Sequence, residues 1–147
     1  MIMVNAHKVY QLHIPAQLQR LPEVLGFLDE HLEEHDCSMK VQMQLDIAVE
    51  EIFVNIANYA YPDSEGDADI QISFSTDGDG RPFVTISFCD KGVFFDPLDH
   101  TDPDITLSAA EREIGGLGIL MVKKYMDDMF YEYKDEQNIL TMMKYLD

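Results

Sequence analysis

Strand-like and helix-like patterns follow one another along this chain in an order that argues against a doubly wound parallel sheet. The first pattern, "KVYQLHIP", alternates apolar and polar residues and stops at Pro15, as a strand does. Two amphipathic helical segments follow, at residues 17–35 and 39–61, and then a hairpin, a long loop, a third helix and two β-prone runs. Because regular βαβ alternation is missing, we predict an α+β two-layer sandwich.

The hairpin carries the clearest β signal. The segments "DIQISFS" and "PFVTISFCD" alternate strictly, and the "TDGDGR" stretch at 76–81 between them consists of turn residues. Residues 92–115 then hold two prolines and four aspartates with little periodicity. We therefore expect a long loop before the third helix.

Composition and charge limit the classes of partner. The chain has 147 residues, 46% of them hydrophobic, so we expect one domain over residues 1–147 with its own core. The formal charge of -18 repels phosphate backbones and anionic lipid, which argues against direct binding to nucleic acid or membrane. Such a charge can serve solubility or adaptation to a salt-rich host, or it can form an acidic surface that binds a basic partner protein.

Cysteine usage and apolar runs bear on the compartment. Cys37 and Cys89 are too far apart for a CxxC pair, so reduced thiols are expected. A membrane-spanning helix needs about 18 apolar residues, and no apolar run in this sequence approaches that length. The N-terminus lacks the pattern of a signal peptide. We expect a cytoplasmic protein.

The segment "EEIFVNIANYAY" combines the composition of a buried helix with three polar groups. Glu51, Asn55 and Asn58 fall on one helical face. A carboxylate and an amide oxygen one turn apart can hold a hydrated Mg²⁺ and accept a proton from a hydroxyl or water. The alternative is a helix edge that simply reaches solvent or caps a neighbouring loop.

Two further motifs follow. In "SFCDKGVFFDP" a hydrophobic strand ends in Asp90, whose carboxylate can accept a hydrogen bond from an exocyclic amine such as that of adenine, and Gly92 permits close backbone approach. An ordinary turn is the alternative. Gly115, Gly116 and Gly118 open a helix whose free N–H groups can hold phosphate oxygens, or they are a plain helix start.

The order and spacing of these three motifs resemble the N, G1 and G2 boxes of the ATPase superfamily that contains DNA gyrase, the ninety-kilodalton heat-shock chaperone, histidine kinases and the MutL proteins. Within this Bergerat-fold superfamily, "AVEEIFVNIANYAY", "DKGVFFDP" and "GGLGILMVKKYMD" are most similar to the anti-sigma-factor serine kinases of bacteria. The resemblance covers nearly the whole chain. It implies a mixed, mostly antiparallel sheet with helices on one face.

The resemblance also implies roles for the motif residues. Asn55 would be the magnesium ligand, Glu51 the general base and Asp90 the adenine reader. Asn58 would support the site. The remaining cofactor-binding residues implied in this way are Gly92, next to the adenine reader, and Gly115, Gly116, Leu117 and Gly118 on the phosphate side.

One departure from the wider superfamily lies after Gly92. The second glycine of the first box is replaced by Phe94, and the Phe-Asp-Pro sequence that follows resembles the anti-sigma kinase branch. The segment 95–114 would be an ATP lid. Arg112, its one arginine, is a candidate catalytic contact to the γ-phosphate, or else a surface partner for a neighbouring glutamate.

The implied function is that of a regulatory kinase. It would bind ATP and Mg²⁺, phosphorylate a serine of a small anti-anti-sigma (STAS-like) antagonist, and sequester a sigma factor, with a possible homodimer as its assembly. One alternative is a non-catalytic, nucleotide-dependent protein-binding module. The other is the ATP-binding catalytic domain of a two-component-type kinase, although no phosphoacceptor helix pair precedes the motifs.

Overall fold

The structure, a computed structural model, describes residues 8–99 and 116–147. The strands in this part of the chain are β1 (Lys8–Pro15), β2 (Asp67–Thr76), β3 (Pro82–Asp90), β4 (Asp128–Lys134) and β5 (Gln137–Tyr145). The α-helices are α1 (Leu21–Glu34), α2 (Met39–Tyr59) and α3 (Gly116–Tyr125), with short 3-10 turns at Leu18–Arg20 and Pro97–Asp99.

The strands form one five-stranded sheet in the order β1-β2-β3-β5-β4, and every described pairing is antiparallel. Alternate residues of the central strands are buried, as in the series Ala68, Ile70, Ile72 and Phe74 of β2. These side chains and the apolar faces of the helices form one core, with Phe53 of α2 fully buried. The predicted α+β two-layer fold is confirmed.

Helix α2 is the central element of the helical layer, and both of its ends follow the sequence. Ser38 caps the start, since its Oγ accepts a hydrogen bond from the Val41 N–H at 3.2 Å. The helix ends at Tyr59, two residues before the predicted end at Tyr61 and shortly before the turn residues that follow. Helix α1, in contrast, begins at Leu21 rather than at Gln17, because Pro22 suits the first helical turn and a 3-10 turn precedes it.

The turn between β4 and β5 sets the register of the last hairpin. Asp135 and Glu136 have positive φ values of 54° and 61°, as a two-residue turn of the primed type requires. The resulting register places Asn138 of β5 directly opposite Asp90 of β3 in the sheet. No helix within the two described ranges is long and apolar enough to cross a membrane.

The carboxyl groups of Asp29 in α1 and Asp46 in α2 lie together, and this predicts that the stability of the fold depends on pH. Burial, together with the neighbouring Asp29, raises the pKa of Asp46 to about 7. A carboxyl group with a raised pKa costs the folded state stability once it ionises, so the penalty grows as the pH rises from about 4 to about 7 and is fully present above that. Asp46→Asn should therefore raise the melting temperature at about pH 8 and change it little at about pH 4.

Melting curves of wild type and variant at both pH values test this. Glu30→Gln on the exposed side of α1 removes the same charge without relieving a buried group, and so serves as the control. An equal shift for Asp46→Asn at both pH values would contradict the explanation.

Candidate functional site

A cavity of about 230 Å³ lies between the helical layer and the ends of β3, β4 and β5. Its wall is mainly apolar, and the three polar residues Asn55, Asp90 and Asn138 also line it. The principal apolar and aromatic lining residues are Ile52, Ile56, Tyr59, Phe88, Phe94, Phe95, Ile119, Tyr131 and Leu140. A largely apolar cavity with a few converging polar groups is the usual form of a small-molecule site.

Asp90 is a rigid acceptor in this wall. It is 7% exposed at the end of β3, and its Oδ1 accepts hydrogen bonds from the Gly92 N–H at 2.9 Å and from Asn138 Nδ2 at 3.0 Å. Burial raises the pKa of Asp90, while these two hydrogen bonds lower it. Within the described ranges Asp90 Oδ2 accepts no hydrogen bond, so one carboxylate oxygen remains for a ligand.

Gly92 lies in close contact with Ala60 at the end of α2. A Cβ at this position would lie 2.6 Å from the Ala60 Cβ and overlap the Ala60 carbonyl oxygen. That carbonyl also accepts a hydrogen bond from the Val93 N–H at 2.9 Å. Gly92 therefore holds the segment after β3 against the end of α2, and it does not itself line the cavity.

Gly92→Ala should lower the free energy of unfolding by about 1–3 kcal/mol, because its neighbour is backbone that cannot move aside easily. Denaturant unfolding measures the change. Gly78→Ala is the matched control, since a Cβ on Gly78 would meet no atom within 4 Å. Equal stabilities of the two variants would show that the segment yields without cost.

Glu51 lies beside the start of α3. Its Oε1 accepts a hydrogen bond from Asn55 Nδ2 at 3.5 Å, and a Cβ on Gly118 would overlap its carboxyl group. The absent side chain of Gly118 therefore makes room for Glu51. Burial raises the pKa of Glu51, Asn55 lowers it, and Glu50 raises it. The Glu51 carboxyl group of α2 is therefore half-buried against the first turn of α3, and its proton affinity is increased.

Asn55 has the chemistry expected of a magnesium ligand. Its Nδ2 donates to Glu51, its Oδ1 accepts no hydrogen bond from the residues that the structure describes, and the residue lines the cavity. Hard cations prefer such oxygen ligands, and Mg²⁺ usually takes only one or two from the protein and completes its shell with water and phosphate. The described part of the chain contains no cluster of three or more His, Cys, Asp or Glu side chains able to hold a metal.

The remaining predicted residues fall into two groups. Asn58 is exposed on α2 and does not line the cavity, so the structure does not bring it together with Asn55. Gly116 and Leu117 begin α3, next to Gly118. Gly115, Arg112 and most of the predicted lid at 95–114 lie outside the described residues.

Two residues of the cavity were missed by the sequence analysis. Asn138 is the last residue of the polar stretch "DEQN", where an asparagine is ordinary turn chemistry, and Tyr131 belongs to a β-prone run. Their signal is the strand register, because Asn138 reaches the site only as the partner of Asp90 across the sheet. A single sequence does not contain that register in readable form.

Comparisons with known proteins show which sequences and folds this chain is similar to. The chain is 25% identical over 114 residues to the serine/threonine-protein kinase BtrW of Bordetella bronchiseptica. The aligned residues cover 77% of this chain and 78% of that protein. It also superposes with a TM-score of 0.61 and 16% identity on the crystal structure of the RsbU and RsbW domains of a Mycobacterium tuberculosis protein, covering 93% of this chain. This chain spans 32% of the length of that solved chain, and at 16% identity the likeness concerns the fold alone.

The family comparison covers most of the chain. The model of the histidine kinase-like ATPase domain matches residues 14–144, from the end of β1 to the last residues of β5. The match includes α2 with Asn55, the end of β3 with Asp90, and the start of α3. The chain belongs to the histidine kinase-like ATPase domain family.

Proposed function

We propose that this protein binds Mg-ATP in the described cavity and transfers the γ-phosphoryl group to a serine of a small antagonist protein. The observation that carries the proposal is the close grouping of Asn55, Glu51 and Gly118 beside a cavity that Asn55 and Asp90 both line. In this proposal Asn55 would be the metal ligand, Glu51 the proton acceptor at the start of a helix, and Asp90 the acceptor for adenine.

The dimensions of the cavity suggest how ATP would lie. At about 230 Å³ it is smaller than the roughly 300–1,000 Å³ of typical small-molecule sites, so it would take the base and sugar and leave the triphosphate outside. Asp90 Oδ2 would accept a hydrogen bond from the exocyclic amine of adenine. The phosphates would then extend past Asn55 towards the N-terminus of α3, where helix N–H groups favour anions.

Glu51 would act on the attacking hydroxyl. It would accept the proton of the serine Oγ–H as the Oγ–P bond forms and the bond from the γ-phosphorus to the bridging oxygen breaks, releasing ADP. The raised proton affinity of Glu51 suits this role better than that of an exposed glutamate. Mg²⁺ held by Asn55 would neutralise phosphate charge, which an acidic protein otherwise repels.

The overall charge supports a regulatory role with protein partners. A formal charge of -18 suits a basic surface on a partner protein, and the BtrW relative is named a serine/threonine-protein kinase. From the resemblance to the anti-sigma-factor serine kinases we infer an antagonist protein as substrate, a sigma factor as the sequestered partner and a homodimer as the assembly.

Mg-ATP should raise the melting temperature, because a ligand that binds only the native state stabilises it by mass action. At a hundredfold excess over Kd the gain is about 2.7 kcal/mol. Thermal melts with ATP, ADP and GTP, each with Mg²⁺ or with a chelator, measure this. An unchanged melting point at millimolar Mg-ATP would contradict the assignment of the cavity.

Transfer of labelled phosphate from ATP to small STAS-like proteins encoded near this gene tests the kinase proposal itself. We expect the label on a serine of the antagonist. Nucleotide binding without transfer to any neighbouring antagonist would instead favour the non-catalytic binding module.

A further inference from the structure

Asn138 is a nearly buried amide, 7% exposed, at the centre of a hydrogen-bond network around the adenine end of the cavity. Its Nδ2 donates to Asp90 Oδ1 at 3.0 Å, to the Val93 carbonyl at 2.9 Å and, more weakly, to the Gly92 carbonyl at 3.4 Å. Its Oδ1 accepts from the Phe95 N–H at 3.1 Å and from the Tyr131 hydroxyl at 2.5 Å.

These contacts use the whole capacity of the side chain. An amide NH₂ has two hydrogens and the amide oxygen has two lone pairs, and all of them are already directed to protein atoms. Asn138 therefore has no strong hydrogen bond left for a ligand, even though it lines the cavity. Its function must be exerted through the groups that it holds.

The group it holds most directly is the Asp90 carboxylate. Oδ1 of Asp90 is fixed from two directions, by Asn138 Nδ2 and by the Gly92 N–H, while Oδ2 accepts no hydrogen bond from the described residues and Asp90 lines the cavity. Asn138 also binds the segment 92–95, which follows β3 and contributes Val93, Phe94 and Phe95 to the cavity wall. One side chain thus connects the acceptor and the adjacent wall of the base site.

We propose that Asn138 is a positioning residue for base recognition: it holds Asp90 so that Oδ2 meets the exocyclic amine of adenine, and the selectivity for adenine depends on it. This proposal rests on the proposed binding of ATP in the same cavity. A residue with a merely structural role would contribute stability, whereas a positioning residue contributes discrimination between bases.

The experiment compares the affinity for ATP with that for purine riboside triphosphate, which lacks the 6-amino group. In the wild type ATP should bind more tightly. Asn138→Ala should weaken ATP binding by about tenfold, the equivalent of one hydrogen bond, and change the binding of the analogue much less, so that the ratio of the two Kd values falls towards one. Asn138→Ser, which keeps a small polar group, provides the same test if the alanine variant does not fold.

Thr141→Ala is the matched control. Thr141 lies on the same strand, is 8% exposed, and bonds to Ser87 at 3.3 Å on the opposite face of the sheet. This variant should lose stability but keep the wild-type ratio. A second measurement uses Asp90→Ala: in that background Asn138→Ala should no longer change the ratio, because its effect passes through the missing carboxylate.

An Asn138→Ala variant that weakens ATP and the analogue equally would overturn the proposal, and so would an unchanged ratio with unchanged affinity. Failure of the wild type to bind either nucleotide is a different result. It would overturn the proposed function and this inference together.

Discussion

Replacing Glu51 by Gln should slow phosphoryl transfer by roughly 10²- to 10⁴-fold, the usual contribution of a general base, while Mg-ATP affinity stays nearly unchanged. The reason is geometric. Glu51 of α2 lies beside Asn55 and packs against the first turn of α3, and it is not among the residues that line the cavity proposed to hold the base. The amide keeps the size of the side chain but cannot accept a proton. Single-turnover transfer to the antagonist, beside direct nucleotide titration, separates the two effects.

Asn55→Ala is the comparison for this prediction. It removes the proposed metal ligand, so Mg-ATP binding itself should weaken, and the two variants must fail in different steps. Circular dichroism of both excludes unfolding as the cause. Full transfer by Glu51→Gln would remove Glu51 from the mechanism.

The pH dependence gives an independent check on Glu51. Because burial raises its pKa, the transfer rate should fall as the pH is lowered, at a pH above the titration range of an ordinary glutamate. The residual transfer rate of Glu51→Gln should not show this fall at low pH. Its persistence there would assign the titration to another group.

Asp90→Asn should remove the preference for adenine over guanine nucleotides and weaken ATP binding by roughly ten- to a hundredfold. A hydrogen bond to a charged group contributes about 1.5–3 kcal/mol, and the amide can present a donor where adenine also presents one. Titrations with ATP and GTP give both quantities.

Asp77→Asn controls for the general loss of a structural carboxylate. Asp77 is distant in the β2-β3 turn and accepts hydrogen bonds from the Asp79 and Arg81 N–H groups. This variant should lose stability without losing base preference. If Asp90→Asn retained the preference for adenine, the base would have to be read elsewhere in the cavity.

The elements of this fold were predictable where local chemistry determines them. Strict alternation identified β2 and β3, and Ser38 marked the start of α2 through a cap that the structure contains. The sequence also indicated Glu51, Asn55 and Asp90, because a carboxylate or amide within an apolar segment needs a polar neighbour. Helix periodicity alone did not decide which polar groups face the cavity, and Asn58, on the same predicted stripe, is exposed.

Tertiary structure decided the contacts that complete the site. Gly118 makes room for Glu51 of another helix, Gly92 packs on Ala60 at the end of α2, and Asn138 meets Asp90 only through the register of β3 and β5. Each contact joins segments far apart in the chain. Hydrophobic periodicity and turn chemistry act over a few residues, so a sequence shows which side chains can recognise a nucleotide, while the packing of distant elements determines which of them meet.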